Sequence, residues 1–94
     1  MLKDLIPSES HLGQNYPNPF KERTTIKYCV QQDCRVMLTI YDRDGEIVER
    51  LVDEQKPAGT YEVEWDGSKQ SCGVFTCRMK AGRYKAEKNM ILVR

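Results

Sequence analysis

The residues most able to do chemistry are four cysteines, Cys29, Cys34, Cys72 and Cys77, which form two pairs of identical C-x4-C spacing. Four thiolates from two such knuckles would suit a tetrahedral zinc ion, although the usual spacing is the shorter C-x2-C. The second pair lies along a run of alternating residues. If 73–77 is extended, five steps of about 3.3 Å hold Cys72 and Cys77 roughly 16 Å apart. A disulfide needs alpha carbons within about 7 Å, so these two should not bond each other. Cys29 and Cys34 flank a short turn at 30–33 and could oppose each other across a hairpin. Bridges and free thiols are favoured over zinc, and the pairing stays open, because four cysteines allow three full pairings and sequence does not choose among them. Cys77 alternates in phase with Phe75 and Met79, which marks a buried thiol or half of a cross-strand bridge.

Other chemistry is sparse. The single histidine, His11, stands in the N-terminal stretch with no legible nucleophile and orienting carboxylate around it, so it reads as a solvated side chain. Asp42, Asp44 and Glu46 alternate around Gly45 in the manner of a calcium loop, but the later ligands and closing Glu of an EF-hand are missing. Asp44-Gly45 reads instead as a tight hairpin turn. The glycines mark turns, Gly45, Gly59 and Gly73 among them, and no phosphate-cradling loop is present. The chain reads as non-enzymatic, with no cofactor and no metal.

The elements that carry these residues are strands. Ile26, Tyr28 and Val30 share one face, as do Val36, Leu38 and Ile40. Tyr61, Val63 and Trp65 alternate with Glu62, Glu64 and Asp66, and Phe75, Cys77 and Met79 face one way in the next run. Alternation with period two puts one face on a core and the other in water. The run 84–94 reads as a last strand with a more buried end. In 46–53 the apolar residues fall at i, i+1, i+4 and i+5, which also fits a helix turn. The flanking Asp44-Gly45 and Pro57-Ala58-Gly59 turns favour a strand. Six strands at short spacing predict an all-β, antiparallel, Ig-like or fibronectin type III-like sandwich of about six to seven strands over 13–94, preceded by a flexible linker over 1–12.

Size and charge agree. Ninety-four residues make one domain. Fifteen basic and fourteen acidic side chains leave a formal charge of +1, without the basic excess expected of a nucleic-acid binder. No apolar run reaches the roughly 20 residues of a membrane helix, and the amino end lacks the apolar stretch of a signal peptide.

Six segments in order carry a resemblance: QNYPNPF at 14–20, TTIKY at 24–28, VMLTIYDRDGEIVERLVD at 36–53, PAGTYEVEWDG at 57–67, SCGVFTCRMKAG at 71–82 and KNMILVR at 88–94. Together they resemble the type A C-terminal sorting domain of the type IX secretion system. They are also similar to the Ig-like domain of the flagellar hook-capping protein. The chain has Lys21-Glu22 where the sorting family often has a second Asn-Pro, and Phe75-Thr76-Cys77 at usually aromatic positions. The sorting resemblance implies a non-catalytic signal that directs a larger upstream cargo through the periplasm and across the outer membrane, to be secreted or held at the cell surface. Its implied partners are the outer-membrane secretion machinery and a sortase-like processing enzyme. The alternative is a structural Ig-like interaction or spacer module of an extracellular or hook-capping-like protein.

The segment 14–20 has its own physical reading. Pro17 and Pro19 fix their own φ and bias Tyr16 and Asn18 to extended conformations, giving a stiff strap. Tyr16 and Phe20 are two large apolar handles that either cover the open end of the core or are recognised by a partner. The recognition surface implied by the resemblance comprises Tyr16, Pro17, Asn18, Pro19 and Phe20 with Lys88, Met90, Leu92 and Arg94 of the last strand. That strand is also expected to offer an edge for strand addition.

Overall fold

In a computed structural model that describes residues 7–94, seven strands form two antiparallel sheets. They are β1 (His11–Leu12), β2 (Arg23–Val30), β3 (Cys34–Tyr41), β4 (Ile47–Lys56), β5 (Gly59–Asp66), β6 (Gly73–Ala81) and β7 (Tyr84–Leu92). One sheet has the order β1-β2-β5 and the other β4-β3-β6-β7. The all-β sandwich expected from the alternation is what the chain forms.

The four alternating runs supply most of the core. Ile26, Tyr28 and Val30 from β2, Val36, Leu38 and Ile40 from β3, Trp65 from β5, and Phe75, Cys77 and Met79 from β6 are all buried between the sheets. Trp65 is packed between Phe20, at 5.7 Å between ring centroids, and Phe75, at 5.3 Å and edge-on. Its indole Nε1 donates to Glu49 Oε1 at 3.2 Å, so one side chain ties both sheets together.

β4 explains its own ambiguous pattern. Its register against β3 slips twice, between Leu38 and Thr39 and between Ile40 and Tyr41. Each slip is a bulge that resets the alternation. Val48, Leu51 and Val52 therefore turn toward the core while Ile47 stays 49% exposed. A strand interrupted this way mimics helical spacing.

Two expectations need correction. The stretch 7–12, read as linker, contributes β1: His11 pairs with Cys29 and Leu12 with Tyr28, and Leu12 is buried. Periodicity could not find a two-residue strand. Residues 1–6 of that linker lie outside the described residues. Second, β2 and β3 are not a hairpin, because they belong to opposite sheets. Cys29 faces outward from one sheet, paired with Thr60, while Cys34 begins the inward row of Val36, Leu38 and Ile40 on the other. They point away from the geometry a disulfide requires, and all four cysteines are free thiols.

Candidate functional site

The strap of residues 14–20 is held by its three amide side chains, Gln14, Asn15 and Asn18. Asn15 is buried, and its Nδ2 donates to Thr24 Oγ1 at 2.9 Å and to the Pro17 carbonyl at 3.1 Å. Thr24 Oγ1 donates to the same carbonyl at 2.9 Å. Gln14 Nε2 donates to Asn15 Oδ1 at 2.7 Å, closing the network. No buried side-chain polar atom among the described residues lacks a partner. A fully satisfied network of this kind specifies one conformation.

From that anchor the strap lies along the outer edge of β7. Gln14 Nε2 donates to the Asn89 carbonyl at 2.7 Å, and Ile91 N–H donates to Asn18 Oδ1 at 2.9 Å. Phe20 N–H donates to the Ile91 carbonyl at 2.9 Å, and Val93 N–H donates to the Phe20 carbonyl at 2.8 Å. Phe20 and Leu92 form a parallel bridge. The Asn89 carbonyl, both backbone groups of Ile91 and the Val93 N–H are thus occupied by the chain itself. The edge expected to be open for strand addition is closed here. Nearer the other end of β7, the outward side chains of Lys85 and Glu87 place charges along the edge, which discourages pairing with another chain.

This arrangement divides the expected recognition residues. Tyr16, 79% exposed, and Pro17, Asn18 and Pro19 stand at the surface. Phe20, Met90 and Leu92 are buried, so they cannot present side chains to a partner. Met90 and Leu92 alternate inward because β7 keeps period two to its end, rather than becoming buried on both faces. Lys88 is half-buried on that inward row, and Arg94 is exposed with its guanidinium donating to the Ser68 and Gln70 carbonyls. Of the two aromatic handles, Phe20 closes the core and Tyr16 does not.

The turn residues serve the backbone. Gly45 has φ +83° in the β3–β4 hairpin. Asp42 Oδ1 accepts from the N–H groups of Asp44 and Glu46, each at 2.9 Å, so the acidic triplet is organised as a turn. Gly59 and Gly73 open β5 and β6. Among the described residues, no group of three His, Cys, Asp or Glu is placed to hold a metal ion.

The outer face of the four-stranded sheet has a feature that alternation alone does not show. Cross-strand rows there read Asp53–Met37–Lys80–Lys85, then Arg50–Thr39–Arg78–Glu87, then Ile47–Tyr41–Thr76–Asn89. Arg78 Nε donates to Glu87 Oε2 at 2.7 Å, and its guanidinium lies 4.5 Å from the Tyr41 ring centroid. The Glu87 hydrogen bond holds the Arg78 pKa above its usual value. On the opposite sheet, hydrogen bonds from Ser68 hold Asp66 below the usual carboxylate range.

A seven-stranded sandwich of two antiparallel sheets is consistent with an Ig-like fold. The family model of the FlgD Ig-like domain matches residues 20–87, and the chain belongs to that family. No curated protein matches it. The family is one of structural, non-catalytic modules.

Proposed function

We propose that this chain is a non-catalytic interaction or spacer module that docks or separates protein partners, as an Ig-like domain of the hook-capping type. The family match across 20–87 carries this reading. The covered end of the β7 edge supports it, because a module presented to partners must not polymerise through that edge. The test replaces residues 11–94, in the polypeptide that bears them, with an unrelated Ig-like sandwich of the same length. A spacer keeps its function after the exchange, and a docking module loses it. Deletion of the segment without effect on the assembly or activity of that polypeptide would refute both.

One observation favours a second reading, that of a sorting signal with outer-membrane machinery and a processing enzyme as partners and the cell surface as destination. The sequence segments 14–19 and 88–94 fall outside the matched range, yet they are hydrogen-bonded to each other as one surface unit. A periplasmic reporter fused ahead of this chain should then reach the surface or the medium in a host with a type IX system. Retention of a folded fusion in the periplasm excludes this second reading.

A further inference from the structure

We infer that the outer face of the four-stranded sheet binds an extended acidic segment of a partner protein, with an apolar residue at one end of that segment. The inference rests on the interaction-module reading and names the chemistry of its partner.

Charge is nearly balanced over the chain but not over its faces. The outer face of β4-β3-β6-β7 carries Arg35, Arg50, Arg78, Lys80 and Lys85 against Asp53 and Glu87. The outer face of β1-β2-β5 carries Arg23 and Lys27 against Glu62, Glu64 and Asp66. Among the described residues, the ion pairs of the first face use Arg35 with Asp53 at 2.9 Å and Arg78 with Glu87 at 2.7 Å, leaving Arg50, Lys80 and Lys85 without carboxylate partners.

Two features make this more than a solvated surface. Lys80 and Lys85 are direct cross-strand neighbours. Like charges placed directly opposite destabilise a sheet, so this pair costs the isolated fold and is relieved by a bound anion. The cations also surround a depression of about 730 Å³. Thr39 lies in it, only 4% exposed although it points to the solvent side, because Arg50 and Arg78 flank it in one row and Met37 and Tyr41 precede and follow it on β3.

The cationic rows end in apolar ones. Ile47 pairs with Tyr41, and Val74 pairs with Ile91. Ile47, Val74 and Ile91 are 49%, 47% and 40% exposed. Successive same-face rows are about 6.7 Å apart along a strand. From the Lys80–Lys85 row to the Val74–Ile91 row is three such steps, roughly 20 Å, the reach of about six extended residues. A uniform polyanion would match the cations and leave the apolar rows uncovered. A peptide with carboxylates followed by an apolar side chain covers both.

The test is an amide chemical-shift titration of the full chain with an acetylated, amidated peptide of four alternating Glu and Asp residues followed by Gly, Leu and Phe. Shifts are expected at Met37, Thr39, Arg50, Arg78, Lys80 and Lys85, extending to Val74 and Ile91, and added NaCl should weaken them. Lys80→Gln with Lys85→Gln should weaken binding about tenfold, the scale of losing two exposed charge contacts. Both side chains point to solvent, and Lys80→Arg with Lys85→Arg should restore binding in an equally folded chain. Absence of shifts at about 1 mM peptide, weaker than any useful contact, overturns the inference. So do shifts confined to the opposite face, or undiminished binding by the glutamine variant. Equal binding after Leu and Phe of the peptide are changed to Ser, or tighter binding of a heparin fragment, overturns the peptide assignment. None of these failures touches the exchange experiment above, since an irreplaceable module could dock through another face.

Discussion

Replacing Asn15 with alanine should loosen the strap without touching the apolar core. The substitution removes two donated hydrogen bonds, to Thr24 Oγ1 and the Pro17 carbonyl, and one accepted from Gln14. The Pro17 carbonyl keeps its bond from the Thr24 hydroxyl, so it is not left unsatisfied. At about 1 kcal/mol net for each bond lost, the cost is about 2–3 kcal/mol. That is a large share of the roughly 5–15 kcal/mol that holds a small domain together. At about 4–8 °C per kcal/mol for a domain of this size, the melting temperature should fall by roughly 10–20 °C. Urea unfolding followed by Trp65 fluorescence reads the change, because Phe20 at the end of the strap packs on that indole. Hydrogen exchange gives a local readout: the Ile91 and Val93 amides, which donate to Asn18 and Phe20, should lose protection before those of β3. A loss below about 0.5 kcal/mol, within the range of surface substitutions, with unchanged protection at Ile91 and Val93, would refute the anchoring role of Asn15.

Trp65→Ala empties the largest buried site and should cost about 3–5 kcal/mol, measured by urea unfolding followed by circular dichroism. Gly45→Val forces a β-branched residue to φ +83° with nothing within 4 Å to clash, so the cost should be backbone strain alone, about 1–2 kcal/mol in thermal unfolding. In a native thiol titration exposed Cys72 should react quickly and buried Cys77 only after denaturation. Burial pushes the Cys77 thiol up to about 12 from an unperturbed 9.0. The folded state therefore holds a proton that the unfolded state releases, and this contribution is full below pH 9 and declines as pH rises toward 12. The difference in unfolding free energy between wild type and Cys77→Ala should shrink by up to about 1.4 kcal/mol per pH unit in that window.

The strands were legible because their side chains obey a local rule: Val36, Leu38 and Ile40 declare a face within five residues. β4 was nearly illegible for the same reason, since each bulge breaks the rule where the register against β3 slips. The stiffness of the strap could be read from Pro17 and Pro19. What it docks on could not, because Gln14 meets Asn89 and Asn18 meets Ile91 across more than seventy residues of chain. Phe20, Met90 and Leu92 fall among the expected recognition residues because their segments carry a resemblance, and a motif does not say which of its side chains face inward. The cationic depression was hidden by the nearly neutral total charge. It becomes visible only when pairing places Arg50, Thr39 and Arg78 in one row.

The parallel run of the strap beside β7 also sets how the two ends of the molecule respond to tension. Pulling the strap toward its beginning and β7 toward Arg94 draws two parallel segments in opposite directions. The bonds joining Asn18 and Phe20 to Ile91 and Val93 then stretch together in shear, and none can be unzipped ahead of the others. Rupture under load is governed by the rate of crossing that barrier rather than by equilibrium stability. The clasp thus gives this small sandwich mechanical endurance along its own chain axis, a useful property for any domain that must transmit force between what lies on either side of it.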